Sequence, residues 1–328
     1  MTQLFSEQEF QQAAAIVYDA MQPTLQHVWP LLCERTGCEV WVKHENQTPT
    51  GAFKIRGGFT YMRLRKDAGK TGGIVSATRG NHGQSLATAG KREDIPVTIF
   101  VPEGNSVEKN AAMRAQGAEL IEAGVDFDEA AGLARNLAND RGIEMMPSFL
   151  PELAMGVSTY GRELFSAAGR SGEPLDTVYV PIGLGSGICS LITQRDLMGL
   201  KTKIIGVVSS NANAYALSFE TGQLVSTNSA NTFADGMAVR TPDSLALEII
   251  QKGAERIVQV SDHEVANAMR AYYTDTHNLA EGAGAASLAA LIQEKELNRG
   301  NRVGVILTGG NIDQPLFSAV LAGKTPQT

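Results

Sequence analysis

From about residue 72 onward, short apolar runs alternate with stretches whose apolar positions recur at helical spacing. "GGIVSAT" leads into "NHGQSLATAGKRE", "VTIFVP" into "SVEKNAAMRAQG", and "AELIEAG" into "DFDEAAGLARNLANDRG". Further along, "TVYVPIG" precedes "SGICSLITQRDLMG", and "KIIGVVSS" and "RVGVILTGG" read as two more central strands. Apolar runs without polar alternation belong to strands covered on both faces, so the pattern predicts an α/β protein with mostly parallel sheets flanked by helices. Two such blocks, roughly 73–152 and 175–328, predict two lobes. "PSFLPELAMG" (Pro147 to Gly156), with two prolines, is expected to be the crossover between them.

Composition narrows the class. The chain has 328 residues, 43% hydrophobic and 19% charged, with a net charge of −7. Such a balance describes a globular protein, and the negative charge argues against a nucleic-acid partner, which would want a basic face. No apolar run reaches membrane-span length, and "MTQLFSEQEF" lacks the basic start and apolar core of a signal peptide. Cys33, Cys38 and Cys189 form no CxxC pair, which fits a reduced, cytoplasmic setting.

In open α/β sheets, ligands bind at the carboxyl ends of strands, where loops and helix N-termini converge. Three loops stand at such points: "TRGNHG", "GLGSG" and "TGGN". In the second, Gly183, Gly185 and Gly187 alternate with Leu184 and Ser186 between a strand and a helix. Glycines let successive N–H groups turn toward one point, and the following helix adds its positive end, so an anion is favoured. The spacing is not G-x-G-x-x-G and there is no P-loop lysine. Taken alone, a tight strand-to-helix turn explains the loop equally well. Lys54, between Phe53 and Ile55 in "NQTPTGAFKIRGG", is either a solvated lysine or a nucleophile at a turn. A lysine amine beside a phosphate cradle suggests pyridoxal phosphate.

The order of motifs resembles the serine/threonine dehydratase family of pyridoxal-phosphate enzymes, which share the tryptophan-synthase-β-like fold. "TGAFKIRGG" resembles the lysine motif S-F-K-x-R-G, "RGNHGQSLA" the S-x-G-N-H-x-Q loop, and "GLGSG" the tetraglycine phosphate loop. "ADGMAV" resembles D-G-x-A-V, and "TGGN" resembles S-G-G-N. Five motifs in order over most of the chain imply the fold, with the cofactor in a cleft between two domains. The larger would comprise 1–72 and 153–328, and the smaller, mobile, substrate-side one 73–152.

The resemblance implies roles residue by residue. Lys54 would hold the cofactor covalently and take the substrate's α-proton, with Phe53 beside it. Asn81 would hydrogen-bond the cofactor's 3′-oxygen, and Gly183, Leu184, Gly185, Ser186 and Gly187 would bind its phosphate. Thr308 would face the pyridine nitrogen, with Gly309 next to it, and Glu281 would lie close by. Thr78, Arg79, Gly80, Asn81 and His82 would form the substrate loop. Each has a plainer reading: Asn81 as a helix cap, His82 as a structural histidine, Thr308 as a strand-end threonine, and Glu281 as a first-turn acid favoured by the helix dipole. A neutral hydroxyl at the ring nitrogen cannot keep it protonated as a carboxylate would, which favours expulsion of a β-hydroxyl over reprotonation.

The implied reaction is that of an ammonia-lyase: water is lost from a β-hydroxy-α-amino acid such as threonine, serine, 3-hydroxyaspartate or phenylserine, giving a 2-oxo acid and ammonia. A racemase or β-replacement enzyme of the same fold is the alternative within the family. A nicotinamide-dependent oxidoreductase would explain the alternation and the glycine loop, but neither Lys54 nor "TGGN".

Two departures from the family pattern stand out. Arg79 occupies the place where racemases carry a proton-donating serine, a role that a guanidinium cannot take over. It either binds a distal carboxylate of the substrate or faces solvent or a local acid. Where relatives with a divalent cation place carboxylates, this chain has Val208 and Ala214, so no metal is expected there. The chain ends one helix after "TGGN", so a regulatory domain is not expected and a catabolic role is. Relatives are often dimers, and a homodimer is the expectation.

Overall fold

The computed structural model describes residues 3–327. Its ten strands are β1 (Gln26–Val28), β2 (Glu39–His44), β3 (Ile74–Ala77), β4 (Val97–Val101), β5 (Glu119–Glu122), β6 (Glu144–Met145), β7 (Thr177–Pro181), β8 (Lys203–Ser209), β9 (Arg256–Val260) and β10 (Arg302–Leu307). They form a six-stranded sheet in the order β1-β2-β10-β7-β8-β9 and a four-stranded sheet in the order β5-β4-β3-β6. All neighbours are parallel except β1 and β2, which are antiparallel. The α/β architecture expected from the alternation is therefore present, with helices covering both sheets.

Strand burial follows the sequence pattern. "IVSA" of β3, "VTIFV" of β4 and "TVYVP" of β7 are buried at every position, as central strands covered on both faces must be. Edge strand β5, "ELIE", has its two glutamates exposed and its two central residues half-buried. Left-handed Gly37 ends the preceding helix and turns the chain into β2, which pairs along its whole length with β10, from Glu39–Arg302 to His44–Leu307. The N-terminal segment thus joins the large sheet, not the small one.

"PSFLPELAMG" is not a loop throughout. Pro151 opens a 20-residue helix, Pro151–Arg170, so only the first four residues connect. Proline is tolerated there because the first helical residue has no intrahelical acceptor for its N–H. This helix packs against the helix Lys54–Asp67 at glycine contacts. A Cβ on Gly156 would stand 2.3 Å from the Arg56 carbonyl oxygen, and one on Gly57 would stand 2.6 Å from that of Leu153. Only residues without a side chain allow the two backbones to approach so closely.

Candidate active site

Lys54 is the first residue of the helix Lys54–Asp67, and the turn before it is fastened from several sides. The Phe53 N–H donates to the Thr308 carbonyl at 3.0 Å, and Ala52 bridges to Gly309, so the lysine turn is tied to the end of β10. The Thr48 hydroxyl both accepts from the Ala52 N–H at 2.9 Å and donates to its carbonyl at 2.8 Å. On the other side, the Ser85 hydroxyl donates to the Lys54 carbonyl at 2.7 Å. The ammonium itself makes no hydrogen bond or ion pair among the described residues; it lies 4.6 Å from the centroid of the Phe53 ring. Burial lowers its pKa below the usual lysine range, Glu281 and Asp235 pull it back, and the Lys109 cation adds to the lowering. The net direction favours the neutral amine, which is the nucleophilic form.

Across the cavity, the loop Gly183 to Gly187 runs from β7 into the helix Ser186–Leu197. That helix has no side-chain cap and no acid in its first turn. The five N–H groups from Gly183 to Gly187 find no acceptor in the described chain. Gly185 has φ +112°, and a Cβ there would stand 2.6 Å from the Ala246 methyl, so only glycine fits. Unpaired N–H groups and a helix N-terminus converging on a cavity make an anion cradle. Tyr160 links the cradle to the lysine: its hydroxyl donates to the Gly187 carbonyl at 2.9 Å, and its ring meets the Phe53 ring edge-on at 6.1 Å.

A second group of residues gathers where β3 and β10 end. The Asn81 amide donates to Glu281 Oε1 at 2.6 Å, and its oxygen accepts from Asn311 Nδ2 at 2.8 Å. Asn81 is the first residue of the helix Asn81–Glu93 rather than its cap, which is Gly80. One of its two amide hydrogens remains free for a ligand. Glu281 is buried, and its Oε2 has no hydrogen-bond partner. Burial raises the pKa of this carboxyl to about 7; Lys109 pulls it down, Asp235 pushes it up, and Lys54 and Asn81 pull it down. His82 is 6% exposed with Nε2 unpartnered, and burial followed by the Lys54 charge lowers its pKa to about 3, so the ring stays neutral near pH 7. The Thr308 hydroxyl is buried against the cavity and bonds to no described residue.

These residues line one cavity of about 520 Å³ between the sheets. Phe53, Lys54, Thr78, Arg79, Gly80, Asn81, His82, Gly183, Leu184, Gly185, Ser186, Gly187, Glu281 and Thr308 all reach it. Gly309 does not; it stands behind the wall, its carbonyl accepting from the Glu281 N–H at 3.0 Å. A larger hollow of about 760 Å³, beside Asn211, Asn213 and Asp262, has no lysine in its wall.

Sequence reasoning missed Lys109 and the role of Asp235. Lys109, on the helix Val107–Ala115 of the four-stranded half, is buried and bonds Asp235 of the other half, with Glu281 Oε2 at 3.9 Å. Burial works against its charge, but Asp235 and Glu281 more than offset this and raise its pKa. A lysine in an amphipathic helix gives no local sign of a partner 126 residues away. Only the D-G-x-A-V segment pointed to Asp235. Val208 and Ala214 are both buried apolar residues with no oxygen in their side chains.

An amine disposed to be neutral, an anion cradle and a free neutral hydroxyl in one cavity suit a cofactor with a carbonyl, a phosphate and a weakly basic ring. Comparison with known proteins agrees. A family model described as pyridoxal-phosphate dependent enzyme matches residues 19–309. An L-threonine ammonia-lyase of Thermotoga maritima is 31% identical over 292 residues, which is 89% of this chain and 72% of that protein. An L-threo-3-hydroxyaspartate ammonia-lyase of a Pseudomonas species is 32% identical over 88% of this chain and 89% of the relative. Among solved structures, the processed form of threonine deaminase isoform 2 from Solanum lycopersicum matches with a TM-score of 0.87 at 28% identity, covering 97% of this chain and 93% of that one.

Proposed function

The chain belongs to the pyridoxal-phosphate-dependent enzymes, and on that premise we propose that it is an ammonia-lyase removing water from a β-hydroxy-α-amino acid. The observation that carries this reading is the presence in one cavity of Lys54 and the N–H groups of Gly183 to Gly187, which have no acceptor in the described chain. The residues of the cavity fit pyridoxal phosphate. Lys54 would bind its aldehyde carbon, the cradle its phosphate, Asn81 its ring oxygen and Thr308 its ring nitrogen. Once bound, pyridoxal phosphate supplies a conjugated ring that delocalises the electron pair released when the α-proton leaves.

Lys54 then acts as the base that takes the substrate's α-proton, a task suited to an amine with a lowered pKa. The uncapped N–H groups at the start of the helix Asn81–Glu93, with no acid in its first turn, receive the substrate's α-carboxylate. Neutral His82 borders the same loop without adding charge. The β-hydroxyl departs as water with the proton that Lys54 has taken, and the released enamine is hydrolysed by a second water to a 2-oxo acid and ammonia. Thr308, being uncharged, does not hold a proton on the ring, which favours departure of the hydroxyl over return of the proton to the α-carbon.

The larger of the two domains is taken as 1–72 with 153–328, and the smaller, substrate-side one as 73–152. Three lines support a cytoplasmic enzyme of amino-acid catabolism. The described cysteines are all unpaired, no described helix is long and apolar enough to cross a membrane, and relatives release ammonia from amino acids. A homodimer is the expected assembly, to be checked by sedimentation.

Two measurements test the function. The purified protein should show an absorbance band near the visible edge that borohydride abolishes, leaving the label on Lys54. Serine, threonine, 3-hydroxyaspartate and phenylserine should be assayed for ammonia and 2-oxo acid; release from none of them would overturn the lyase reading.

A further inference from the structure

We propose that Arg79 recognises a carboxylate on the substrate's β-carbon, so that the preferred substrate is a 3-hydroxy dicarboxylic amino acid rather than serine or threonine. The proposal rests on the ammonia-lyase reading and adds to it a specificity residue.

Four basic side chains line the cavity: Lys54, Arg79, Lys109 and Arg240. Lys109 is held by Asp235, and Arg240 is paired with Asp128. Lys54 is committed to the cofactor. Arg79 makes no hydrogen bond or ion pair among the described residues, although it is exposed and within the cavity wall. Of the two remaining acids of that wall, Glu281 accepts from Asn81 and lies 3.9 Å from Lys109, and Asp126 accepts from the Glu129 N–H at 2.9 Å; neither pairs with Arg79. Every other charge of the cavity thus has a partner or a task in the protein, and Arg79 has neither.

Its position gives that spare charge a purpose. Arg79 lies between buried Thr78 and Gly80, directly before the helix whose uncapped N–H groups suit the α-carboxylate. A substrate held by that helix start presents its β-substituent close to the same turn. A guanidinium offers a planar fork that matches a carboxylate bidentately and gains nothing from a hydrogen or a methyl group. The residue therefore discriminates by what the β-carbon carries. A phosphate ester on the β-oxygen would meet the same fork, and the test separates the two anions.

The test uses the holoenzyme, wild type and the variants Arg79→Ala, Arg79→Gln and Arg79→Lys, with 3-hydroxyaspartate, serine, threonine and O-phosphoserine. Wild type should favour 3-hydroxyaspartate. In Arg79→Ala, the ratio of kcat/KM on 3-hydroxyaspartate to that on serine should fall about 10- to 100-fold, mostly through KM, as expected for losing a charge-assisted hydrogen-bonded pair. Arg79→Lys should recover part of it and Arg79→Gln little. Binding of L-aspartate, which has no β-hydroxyl to lose, is compared with that of L-2-aminobutyrate by spectral titration. Aspartate's tighter binding should vanish in Arg79→Ala. An equal loss on all substrates, or a wild-type preference for serine, threonine or O-phosphoserine, would overturn the proposal. If wild type released ammonia from no substrate, the lyase reading would fail, and the aspartate titration would still decide whether Arg79 binds a distal carboxylate.

Discussion

Replacing Arg56, two residues after Lys54, by methionine keeps an unbranched flexible stem but removes the guanidinium and its charge. The Arg56 guanidinium is fully buried and donates to Glu45 at 2.7 and 2.9 Å, to Glu163 at 2.7 and 3.0 Å, to Thr159 at 2.8 Å and to Thr24 at 3.2 Å. Lys43, also buried, bonds Glu163 as well, so the cluster holds two cations and two carboxylates and is neutral. Burial opposes the charge of Arg56, but Glu45 and Glu163 more than offset it.

Arg56→Met leaves two buried carboxylates facing one ammonium. Breaking such a pair costs about 3–5 kcal/mol, against a total stability of roughly 5–15 kcal/mol for a domain. Urea denaturation followed by circular dichroism should show a loss of that size. Adding Glu45→Gln restores neutrality around Lys43 and Glu163. The double variant should therefore be more stable than Arg56→Met alone by about 1–3 kcal/mol, although Glu45→Gln by itself destabilises. A loss below about 1 kcal/mol for Arg56→Met, within the range of exposed pairs, would refute the reasoning. So would a second substitution that deepens the loss.

Three further outcomes are expected. Gly185→Ala places a methyl 2.6 Å from Ala246 at φ +112° and shifts the cradle N–H groups, so cofactor affinity should fall about tenfold or more, read by fluorescence titration; unchanged affinity would contradict the cradle. Because burial raises the Glu281 pKa from 4.5 to about 7, its contribution to the stability of the cofactor-free protein is fully present below pH 4.5 and lost as pH rises through about 7. Glu281→Gln should flatten the decline of the urea midpoint across that window, and identical slopes would count against the assignment. With buried Val208 and Ala214 in place of oxygen ligands, activity should survive EDTA; collapse followed by recovery with Mg²⁺ would refute this.

How much was legible depended on whether the information was local. β3, β4, β7, β8 and β10 were readable because a strand covered on both faces needs a run of apolar residues, and those runs stand in plain order. β2 was harder, since what makes it a strand is its pairing with β10, some 260 residues away by sequence. Pro147 to Gly156 was marked as a crossover by its prolines, but the prolines could not show where the next helix begins, since proline signals an interruption and is equally at home in a helix's first turn, where Pro151 sits.

The sequence by itself determined the reactive groups and their settings: an amine at a glycine-lined turn, an alternating-glycine loop before a helix, and a hydroxyl at a strand end. Those settings are short-range, because the backbone freedom of glycine and the end of a strand are decided within a few residues. Only the tertiary structure decided which charges are already satisfied. The Lys109–Asp235 and Arg240–Asp128 pairs and the raised pKa of Glu281 all depend on burial and on partners from distant segments. Coulomb energies grow as water is excluded, so the same acids and bases in an open chain would carry none of this information. By pairing Lys109 and Arg240, the fold leaves Arg79 as the cation free to meet the proposed substrate carboxylate.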